Sequence, residues 1–430
     1  MLKSLNLNGV GPAHHMTVEF GERLNVITGD NGLGKSFILD IAFWAMTRRW
    51  PGDVNPRLNS GKRALPRPNE KGEISFEFTS KTGSKSYTSR YDRRAESWTG
   101  RPGRPANPGL VLYAMADGGF AVWDPARNHW RTQGGADVQE RRPAYVFSPS
   151  EVWDGLLDDA GVPLCNGLIR DLANWQREDG TPWKFFQYAL ASLSAADEEL
   201  LLMGGLVRIS LDDARDMPTI RMPYGQDVPV VHASAGMRRI LALAYLLVWA
   251  WTEHEKASQL LSEVPSGQMV FLVDEIESHL HPKWQFKVVR ALLSVMNEMA
   301  PATQIQLVTA THSPQVLASL EMLFDPAIDA WLDLDYVHDE DGAAVVLTQR
   351  PFEKHGTVSN WLTSDAFNLA SDRAPDVAEV LRRAAMLVGE AQPESAALMA
   401  MHQELCAALS PQDPFLFRWR AQAEHKGRKA

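Results

Sequence analysis

Apolar and polar residues alternate through the first part of the chain with the two-residue period of a β-strand. The alternating apolar positions form three runs: Leu2, Leu5 and Leu7; Met16, Val18 and Phe20; and Leu24, Val26 and Ile27. This pattern predicts a β-meander whose third strand leads into a glycine-rich loop, and the spacing of residues 37–50 predicts a helix after that loop.

The later part of the chain switches between helical and strand-like periods. Short apolar runs between residues 74 and 123 predict an antiparallel sheet, and two helix–strand pairs between residues 237 and 309 are typical of a parallel α/β sheet. We therefore expect four parts: residues 1–149 with the glycine-rich loop and the antiparallel region, a helical insert at 150–205, the second part of the core at 206–350, and a helical appendage at 351–430.

Composition narrows the class of protein. The longest apolar run, residues 240–251, is shorter than the roughly 20 residues that span a bilayer, and the N-terminus lacks the apolar core of a signal peptide. We therefore expect no membrane contact and a cytoplasmic location. Cys165 and Cys406 are too few for a disulfide framework or a zinc site.

Charge is distributed unevenly along a chain whose net charge is −10. The region from Arg48 to Arg104 holds 14 Lys/Arg and only 6 Asp/Glu. A basic module on an acidic protein can meet nucleic-acid phosphates on one face. The alternative, a solvated region with incidental arginines, is equally consistent with this count.

The glycine-rich loop carries the first chemical motif, a G-x-x-x-x-G-K-S sequence between a predicted strand and a predicted helix. Its residues are Gly29, Asp30, Asn31, Gly32, Leu33, Gly34, Lys35 and Ser36. Glycines let the backbone N–H groups of such a loop converge on phosphate oxygens at the start of a helix. The motif predicts an ATP site in which Lys35 reaches the β- and γ-phosphates and the Ser36 hydroxyl ligates Mg²⁺.

A second motif follows the apolar run at residues 269–273, which is typical of a strand buried on both faces. Asp274 and Glu275 come directly after this run, at the end of the strand where α/β sheets place their ligands. We expect Asp274 to hold Mg²⁺ through water and Glu275 to orient and deprotonate the attacking water. The two carboxylates could instead cap the next helix.

The segment between these two motifs resembles the signature segment of ABC-type ATPases, in the small-residue form of the SMC-like and OLD-like branch. It reads Ser234-Ala235-Gly236 and opens a predicted helix. This resemblance implies an α/β P-loop NTPase fold with an ABC-type core, a mixed central sheet beside an antiparallel β subdomain. It also implies that Ser234 and Gly236 face the γ-phosphate bound by another copy, so that the chain works as an ATP-dependent homodimer or a higher even oligomer.

Two further segments resemble the same branch. Thr311-His312-Ser313-Pro314 is similar to its switch segment, which implies that His312 contacts the γ-phosphate, although a structural histidine is the alternative. Residues 277–285 (ESHLHPKWQ) are similar to its D-loop. His279 and His281 stand two residues apart with no third ligand evident, so we expect them at the dimer seam and not in a metal site. The glutamine loop is not identifiable, with Gln133 and Gln139 as the candidates.

The chain resembles the stand-alone OLD-like ATPases of bacterial anti-phage modules such as Septu, because it lacks coiled-coil arms and has too few residues after Gln349 for a nuclease domain. This resemblance implies an ATP-hydrolysing sensor that controls a separate effector protein, expected to be a nuclease. Residues 414–420 (PFLFRWR) could form its docking patch or pack in a core. The alternative function is that of a RecF-like repair ATPase clamping duplex DNA through the region from Arg48 to Arg104.

Overall fold

The computed structural model describes residues 1–100, 105–134, 136–141, 143–158, 160–194, 200–339, 342–390 and 393–427. The chain divides into two compact units, residues 1–356 and residues 357–430. Within the described ranges, no helix has both the length and the apolar content needed to cross a membrane.

The first unit combines several sheets with surrounding helices. Its strands are β1 (Leu2–Asn8), β2 (His15–Glu19), β3 (Leu24–Gly29), β4 (Glu73–Ser80), β5 (Gly83–Asp92), β6 (Ser97–Trp98), β7 (Leu110–Ala114), β8 (Phe120–Trp123), β9 (Trp130–Gln133), β10 (Ala136–Gln139), β11 (Ala144–Phe147), β12 (Leu156–Leu157), β13 (Pro163–Cys165), β14 (Leu202–Val207), β15 (Met217–Arg221), β16 (Asp227–Pro229), β17 (Gln268–Val273), β18 (Gln304–Ala310), β19 (Ala330–Asp339) and β20 (Gly342–Arg350). Its helices are α1 (Lys35–Thr47), α2 (Pro51–Val54), α3 (Pro149–Asp154), α4 (Leu168–Glu178), α5 (Thr181–Ser192), α6 (Ala235–Leu260), α7 (Pro282–Gln285), α8 (Val288–Met299) and α9 (Pro314–Leu320).

An antiparallel sheet with the order β2-β1-β4-β5-β6 forms one layer of this unit. Alternate side chains of β1 and β4 are buried, among them Leu5, Leu7, Ile74 and Phe76. The alternation in the sequence therefore correctly predicted the inner face of this sheet, because residues two apart on a strand share a face.

The central sheet has the order β11-β8-β7-β17-β18-β3-β19-β20, and its strands from β7 to β19 run parallel. β3 lies between β18 and β19, so the predicted three-strand meander is wrong beyond β2. The physical reason is that Asn25 and Thr28 are as fully buried as Val26 and Ile27. A strand covered on both faces belongs in the middle of a parallel sheet and not in a half-exposed meander.

The carboxyl ends of the parallel strands meet at one edge of this sheet, the edge at which open α/β sheets bind ligands. The loop between β3 and α1 contains the G-x-x-x-x-G-K-S motif, and Asp274 follows β17 at the same edge. His312 follows β18, the strand hydrogen-bonded to both β17 and β3. The strand order therefore brings three separate sequence motifs side by side, and the fold is an α/β P-loop NTPase with an ABC-type core.

Helices α4 and α5, within the predicted helical insert, pack on the long helix α6. Trp175 lies 5.6 Å from the ring of Tyr245, and the Tyr245 hydroxyl donates a hydrogen bond of 2.8 Å to Asp171. All three side chains are buried. This part of the chain thus shares its core with the helix that begins at the signature segment.

The second unit contains α10 (Val358–Leu362), α11 (Pro375–Gly389), α12 (Ser395–Ala408) and α13 (Pro414–Gly427). Its core is formed by Ala384, Leu398, Leu405, Leu409, Leu416 and Trp419. Of the aromatic cluster at residues 414–420, Trp419 therefore serves the core, whereas Phe417 is 59% exposed. The core interpretation therefore holds for Trp419, and docking stays a prediction for the exposed residues of the helix.

Candidate nucleotide site

The loop between β3 and α1 depends on glycine at the positions that the motif specifies. Gly29, Gly32 and Gly34 have φ angles of +132°, +82° and +103°, which residues with a side chain rarely adopt. A Cβ atom at Gly29 would lie 2.3 Å from the carbonyl oxygen of Leu334 on β19. A Cβ at Gly32 would meet no atom within 4 Å, so this side of the loop is open. The loop is thus tight against the sheet and open where a ligand would enter.

Lys35 folds back over this loop. Its Nζ atom donates hydrogen bonds to the carbonyl oxygens of Gly29 at 2.7 Å and Asp30 at 2.9 Å. Burial lowers the pKa of Lys35, and the carboxylate of Asp274 acts in the opposite direction. The ammonium group is therefore held across the loop by two carbonyl oxygens, which phosphate oxygens can replace as acceptors.

Asp274 is a buried carboxylate whose charge is only partly offset by the charges of Lys35 and Arg239. Only 1% of the residue is exposed, and within the described part of the chain neither carboxylate oxygen has a hydrogen-bond partner of ordinary geometry. Burial raises the pKa of Asp274, and the neighbouring Ser36 hydroxyl acts against this increase. A buried carboxylate whose charge is only partly offset is costly, and carboxylate and hydroxyl oxygens are the ligands that Mg²⁺ takes. Ser36 and Asp274 therefore fit a magnesium ion.

Glu275 begins the next loop in a strained conformation, with φ at +45°. A residue with a side chain in this region costs about 1–3 kcal/mol, and such strain concentrates at functional sites. The backbone N–H of Ile276 donates to Ala310 of β18 at 3.3 Å, so the chain is tied to the neighbouring strand directly after the strained residue. Glu275 is half-buried beside Asp274 at the open edge of the sheet.

His312 lies in the same electrostatic environment. Burial lowers the pKa of His312, the charge of Lys35 lowers it further, and the charge of Glu275 raises it. The structure therefore brings together Lys35, Asp274, Glu275 and His312, which come from three separate parts of the chain.

Glu277, the first residue of the D-loop-like segment, has a position that its motif did not predict. Its Oε2 accepts a hydrogen bond from the Thr311 hydroxyl at 2.7 Å, and its Oε1 accepts one from the His312 backbone N–H at 2.5 Å. Burial raises the pKa of Glu277, and these two hydrogen bonds oppose the increase. Glu277 thus fixes the loop that carries His312. Its position two residues after Glu275 was the available signal.

The signature segment stands apart from this group. Ser234 is exposed and caps α6, accepting a hydrogen bond from the Met237 N–H at 3.3 Å. A Cβ atom at Gly236 would lie 2.7 Å from the carbonyl oxygen of His279, so glycine allows α6 to approach the loop after β17. Among the described residues, the contacts that gather Lys35, Asp274 and His312 do not include Ser234.

Arg239, one turn further along α6, connects the signature helix to the metal-binding edge. Its guanidinium donates to the carbonyl oxygens of Met115 at 3.1 Å and Asp274 at 3.3 Å. Burial lowers the pKa of Arg239, and the charges of Asp274 and Glu275 oppose this. The sequence motifs did not indicate Arg239, although an arginine on the apolar side of a helix was an available signal.

The glutamine candidates lie elsewhere. Gln133 is on β9 and Gln139 is on β10, and these two strands form a separate two-stranded sheet. The Gln139 side chain is hydrogen-bonded to Arg49 and Asn128. The carboxyl end of β7, next to β17, is instead followed by Met115, Ala116 and Asp117. Neither glutamine therefore lies at the end of the strand beside β17.

Several arginines of the basic region from Arg48 to Arg104 interact with other residues of the same chain. Four arginines form ion pairs: Arg57 with Glu151, Arg63 with Asp53, Arg67 with Glu70, and Arg90 with Glu73. The Arg48 guanidinium stacks 4.5 Å from the ring centre of Phe76. Residues 101–104, including Arg104, lie outside the described part of the chain. The local excess of positive charge thus overstates the cations that are free for a ligand.

Comparison with known proteins places this site in a family. A family model described as "AAA domain, putative AbiEii toxin, Type IV TA system" matches residues 24–318. The whole chain is 21% identical to a Septu protein PtuA of Bacillus thuringiensis and covers 99% of that protein. A stretch of 120 residues is 31% identical to the Retron Vc95 probable ATPase of Vibrio cholerae serotype O1 biovar El Tor, covering 26% of this chain and 20% of that protein.

Among solved structures, the chain is similar to the SMC head domain from Thermotoga maritima, with a TM-score of 0.37 and 16% identity, over 81% of this chain and 99% of that domain. The family match begins at the first residue of β3 and ends within α9, so it includes the glycine-rich loop, Asp274 and His312. The chain therefore belongs to this AAA-domain family of P-loop ATPases.

Proposed function

We propose that the chain binds ATP with Mg²⁺ and hydrolyses it in a site shared between two copies, and that this cycle controls a separate effector protein in anti-phage defence. The observation that carries the proposal is the group formed by Lys35, Asp274, Glu275 and His312 at one sheet edge. Within this group, neither oxygen of the buried Asp274 carboxylate has a hydrogen-bond partner of ordinary geometry among the described residues.

Each residue of the group has a defined part in this proposal. The loop from Gly29 to Ser36 holds the phosphates through its backbone N–H groups and Lys35. Ser36 and Asp274 hold Mg²⁺, which neutralises charge on the phosphates. Glu275 orients the attacking water and accepts its proton, and His312 contacts the γ-phosphate. Glu277 keeps His312 in place through its backbone.

The shared site follows from the position of the signature segment. Ser234 is exposed at the start of α6, where the backbone N–H groups of the first turn favour an anion. The phosphate-binding residues of the same chain lie elsewhere. The anion that binds at this turn is therefore the γ-phosphate of ATP held by a second copy. Ser234 and Gly236 then close the nucleotide site of the partner, and ATP links the two copies.

Control of an effector is supported by the full-length similarity to a Septu protein. We infer that the effector is a separately encoded protein, most simply a nuclease, because the described residues contain a candidate nucleotide site and no group of three or more possible metal ligands. Phe417 is an exposed aromatic residue on α13 with Arg418 exposed beside it, and such residues are enriched at protein interfaces. Direct clamping of duplex DNA has weaker support, since four arginines of the basic region are already paired.

Light scattering after size-exclusion chromatography tests the proposal. The wild type, Lys35→Ala and Glu275→Gln are each compared with and without ATP and Mg²⁺, and Asp212→Asn, an exposed substitution between β14 and β15, is the matched control. We expect Glu275→Gln to accumulate as an ATP-dependent dimer, Lys35→Ala to remain unchanged by ATP, and the control to behave as wild type.

The opposite result is also defined. A Glu275→Gln protein that hydrolyses ATP at the wild-type rate would remove Glu275 from its proposed role. Dimers that form equally well with Ser234→Arg would contradict the shared site. Co-purification of a second protein from the native operon supports the effector model, whereas salt-dependent binding of duplex DNA by the chain alone supports the clamp.

A further inference from the structure

Asp40 is a carboxylate on α1 that the mechanism above does not use. It lies one helical turn after Ser36, so the two side chains share a face of the helix. Its Oδ1 atom accepts a hydrogen bond of 2.9 Å from the hydroxyl of Tyr113. Tyr113 is fully buried on β7, where it pairs with Leu272 of β17, two residues before Asp274. Asp40 is therefore fixed between the helix that carries Ser36 and the strand beside Asp274.

The electrostatics place Asp40 near the metal-binding edge. Burial raises the pKa of Asp40 to about 7, the hydrogen bond from Tyr113 opposes this, and the charges of Asp274 and Asp117 raise it further. The three carboxylates therefore disfavour one another's charge, and the charges of Lys35 and Arg239 offset this only in part at Asp274. Such an arrangement favours the binding of a further cation.

The second oxygen of Asp40 is available for this purpose. Among the described residues it makes no hydrogen bond, and Asp40 is only partly buried, in contrast to Tyr113. Magnesium usually keeps several of its waters in phosphate sites, and these waters need acceptors in the protein. Asp40 lies one helical turn from Ser36 and near Asp274. Its carboxylate is therefore suited to accept a hydrogen bond from such a water.

We propose that Asp40, held by Tyr113, is a positioning residue that accepts hydrogen bonds from the water shell of the Mg²⁺ ion bound by Ser36 and Asp274. This inference rests on the proposed nucleotide site. It predicts opposite effects of Asp40 on two affinities, because a negative charge near the phosphates strengthens the binding of Mg²⁺ and weakens the binding of metal-free ATP.

The test compares the affinity for a fluorescent ATP analogue in EDTA with its affinity over a series of Mg²⁺ concentrations. Asp40→Asn keeps an oxygen that can accept from Tyr113 but removes the charge. We expect equal or tighter binding in EDTA, and a rise of roughly 10- to 100-fold in the Mg²⁺ concentration that gives half of the metal-dependent tightening. Asp212→Asn removes the same charge from an exposed loop and should change neither quantity.

Two outcomes overturn the inference. The first is a half-maximal Mg²⁺ concentration for Asp40→Asn within twofold of the wild type. The second is a loss of ATP affinity in EDTA together with a lowered melting temperature, which would make Asp40 a residue of the fold alone. Should Asp40→Asn fail to fold, Asp40→Glu replaces it, with the same expected shift from its longer side chain and the same criterion for rejection.

Failure of the nucleotide site itself gives a different pattern. If the wild type bound no analogue in either condition, as expected for Lys35→Ala, the proposed function would fail before Asp40 is tested. Retained binding without a Mg²⁺ effect at Asp40 would refute only the present inference.

Discussion

Replacement of Asp274 by asparagine should stabilise the free protein and abolish its stabilisation by ATP and Mg²⁺. The wild-type carboxylate is 1% exposed and has no hydrogen-bond partner of ordinary geometry among the described residues. An unsatisfied buried polar group costs about 1–3 kcal/mol, and more when it is charged. Asparagine retains the unsatisfied polar atoms but removes the charge, so we expect a gain on the order of 1 kcal/mol.

The assay is thermal unfolding with and without ligand. A gain of this size corresponds to a melting temperature higher by about 1–2 °C for a unit of 356 residues. Addition of ATP and Mg²⁺ at about 100 times the dissociation constant should stabilise the wild type by about 2.7 kcal/mol. The same addition should not stabilise the variant. The order of the two melting temperatures should therefore reverse when ligand is added.

The sign of the pH dependence provides a second check. Burial raises the pKa of Asp274 in the folded protein, so the folded state retains its proton at pH values where the unfolded chain has lost it. The wild type consequently loses stability as pH rises from the ordinary aspartate pKa of about 4 through the raised native value. The advantage of the variant should be small at the acidic end of this window and full above it.

Asp329 provides the matched control, since it is buried but paired. It accepts hydrogen bonds from the Arg23 guanidinium at 2.6 Å and the Leu24 N–H at 3.0 Å. Asp329→Asn should lower the melting temperature with or without ligand. A lower melting temperature for Asp274→Asn in both conditions, like that of Asp329→Asn, would refute the reasoning. It would show that the charge of Asp274 does not destabilise the ligand-free protein.

Three further outcomes are expected. Gly236→Ala should retain ATP binding but lower ATPase turnover by about tenfold or more, because the added Cβ forces α6 away from the loop after β17 and small displacements are costly in catalysis; equal turnover would contradict this. Glu277→Gln has one carbonyl oxygen in place of two carboxylate oxygens, so it cannot accept from the Thr311 hydroxyl and the His312 N–H as Glu277 does. ATP turnover in steady-state assays should therefore fall, whereas ATP affinity in binding assays should stay nearly unchanged. In denaturant unfolding, Trp419→Ala should destabilise the second unit by about 3–5 kcal/mol, whereas Phe417→Ala should leave stability unchanged and weaken co-purification of the effector.

The sequence predicted those parts of the site that depend on local motifs. The loop from Gly29 to Ser36 and the Asp274–Glu275 pair are contiguous, and each stands next to a strand or helix with a clear period. Arg239 and Asp40 were missed because their partners, Met115 and Tyr113, lie on β7 or directly after it, far away in the chain. Their function depends on strand order, which the alternation of residues does not specify.

The same limit explains the error at β3. Leu24 and Val26 alternate with polar residues, so periodicity alone indicates a half-exposed strand. The structure buries Asn25 and Thr28 as well, and their side chains are satisfied by partners such as the backbone of Gly21 and the carboxylate of Asp333. Polar residues in a covered strand are tolerated when they are hydrogen-bonded, and this compensation cannot be read from the pattern.

The position of β3 also has a consequence for the order in which the protein is made. The strand that leads into the phosphate-binding loop is among the first to leave the ribosome, yet it pairs with β18 and β19, about 300 residues later. At about 5–20 residues per second, roughly 15–60 s of synthesis separate the loop from its support. We expect a nascent chain to be unable to bind nucleotide during this interval, so that incomplete products cannot enter the proposed ATP-dependent dimer.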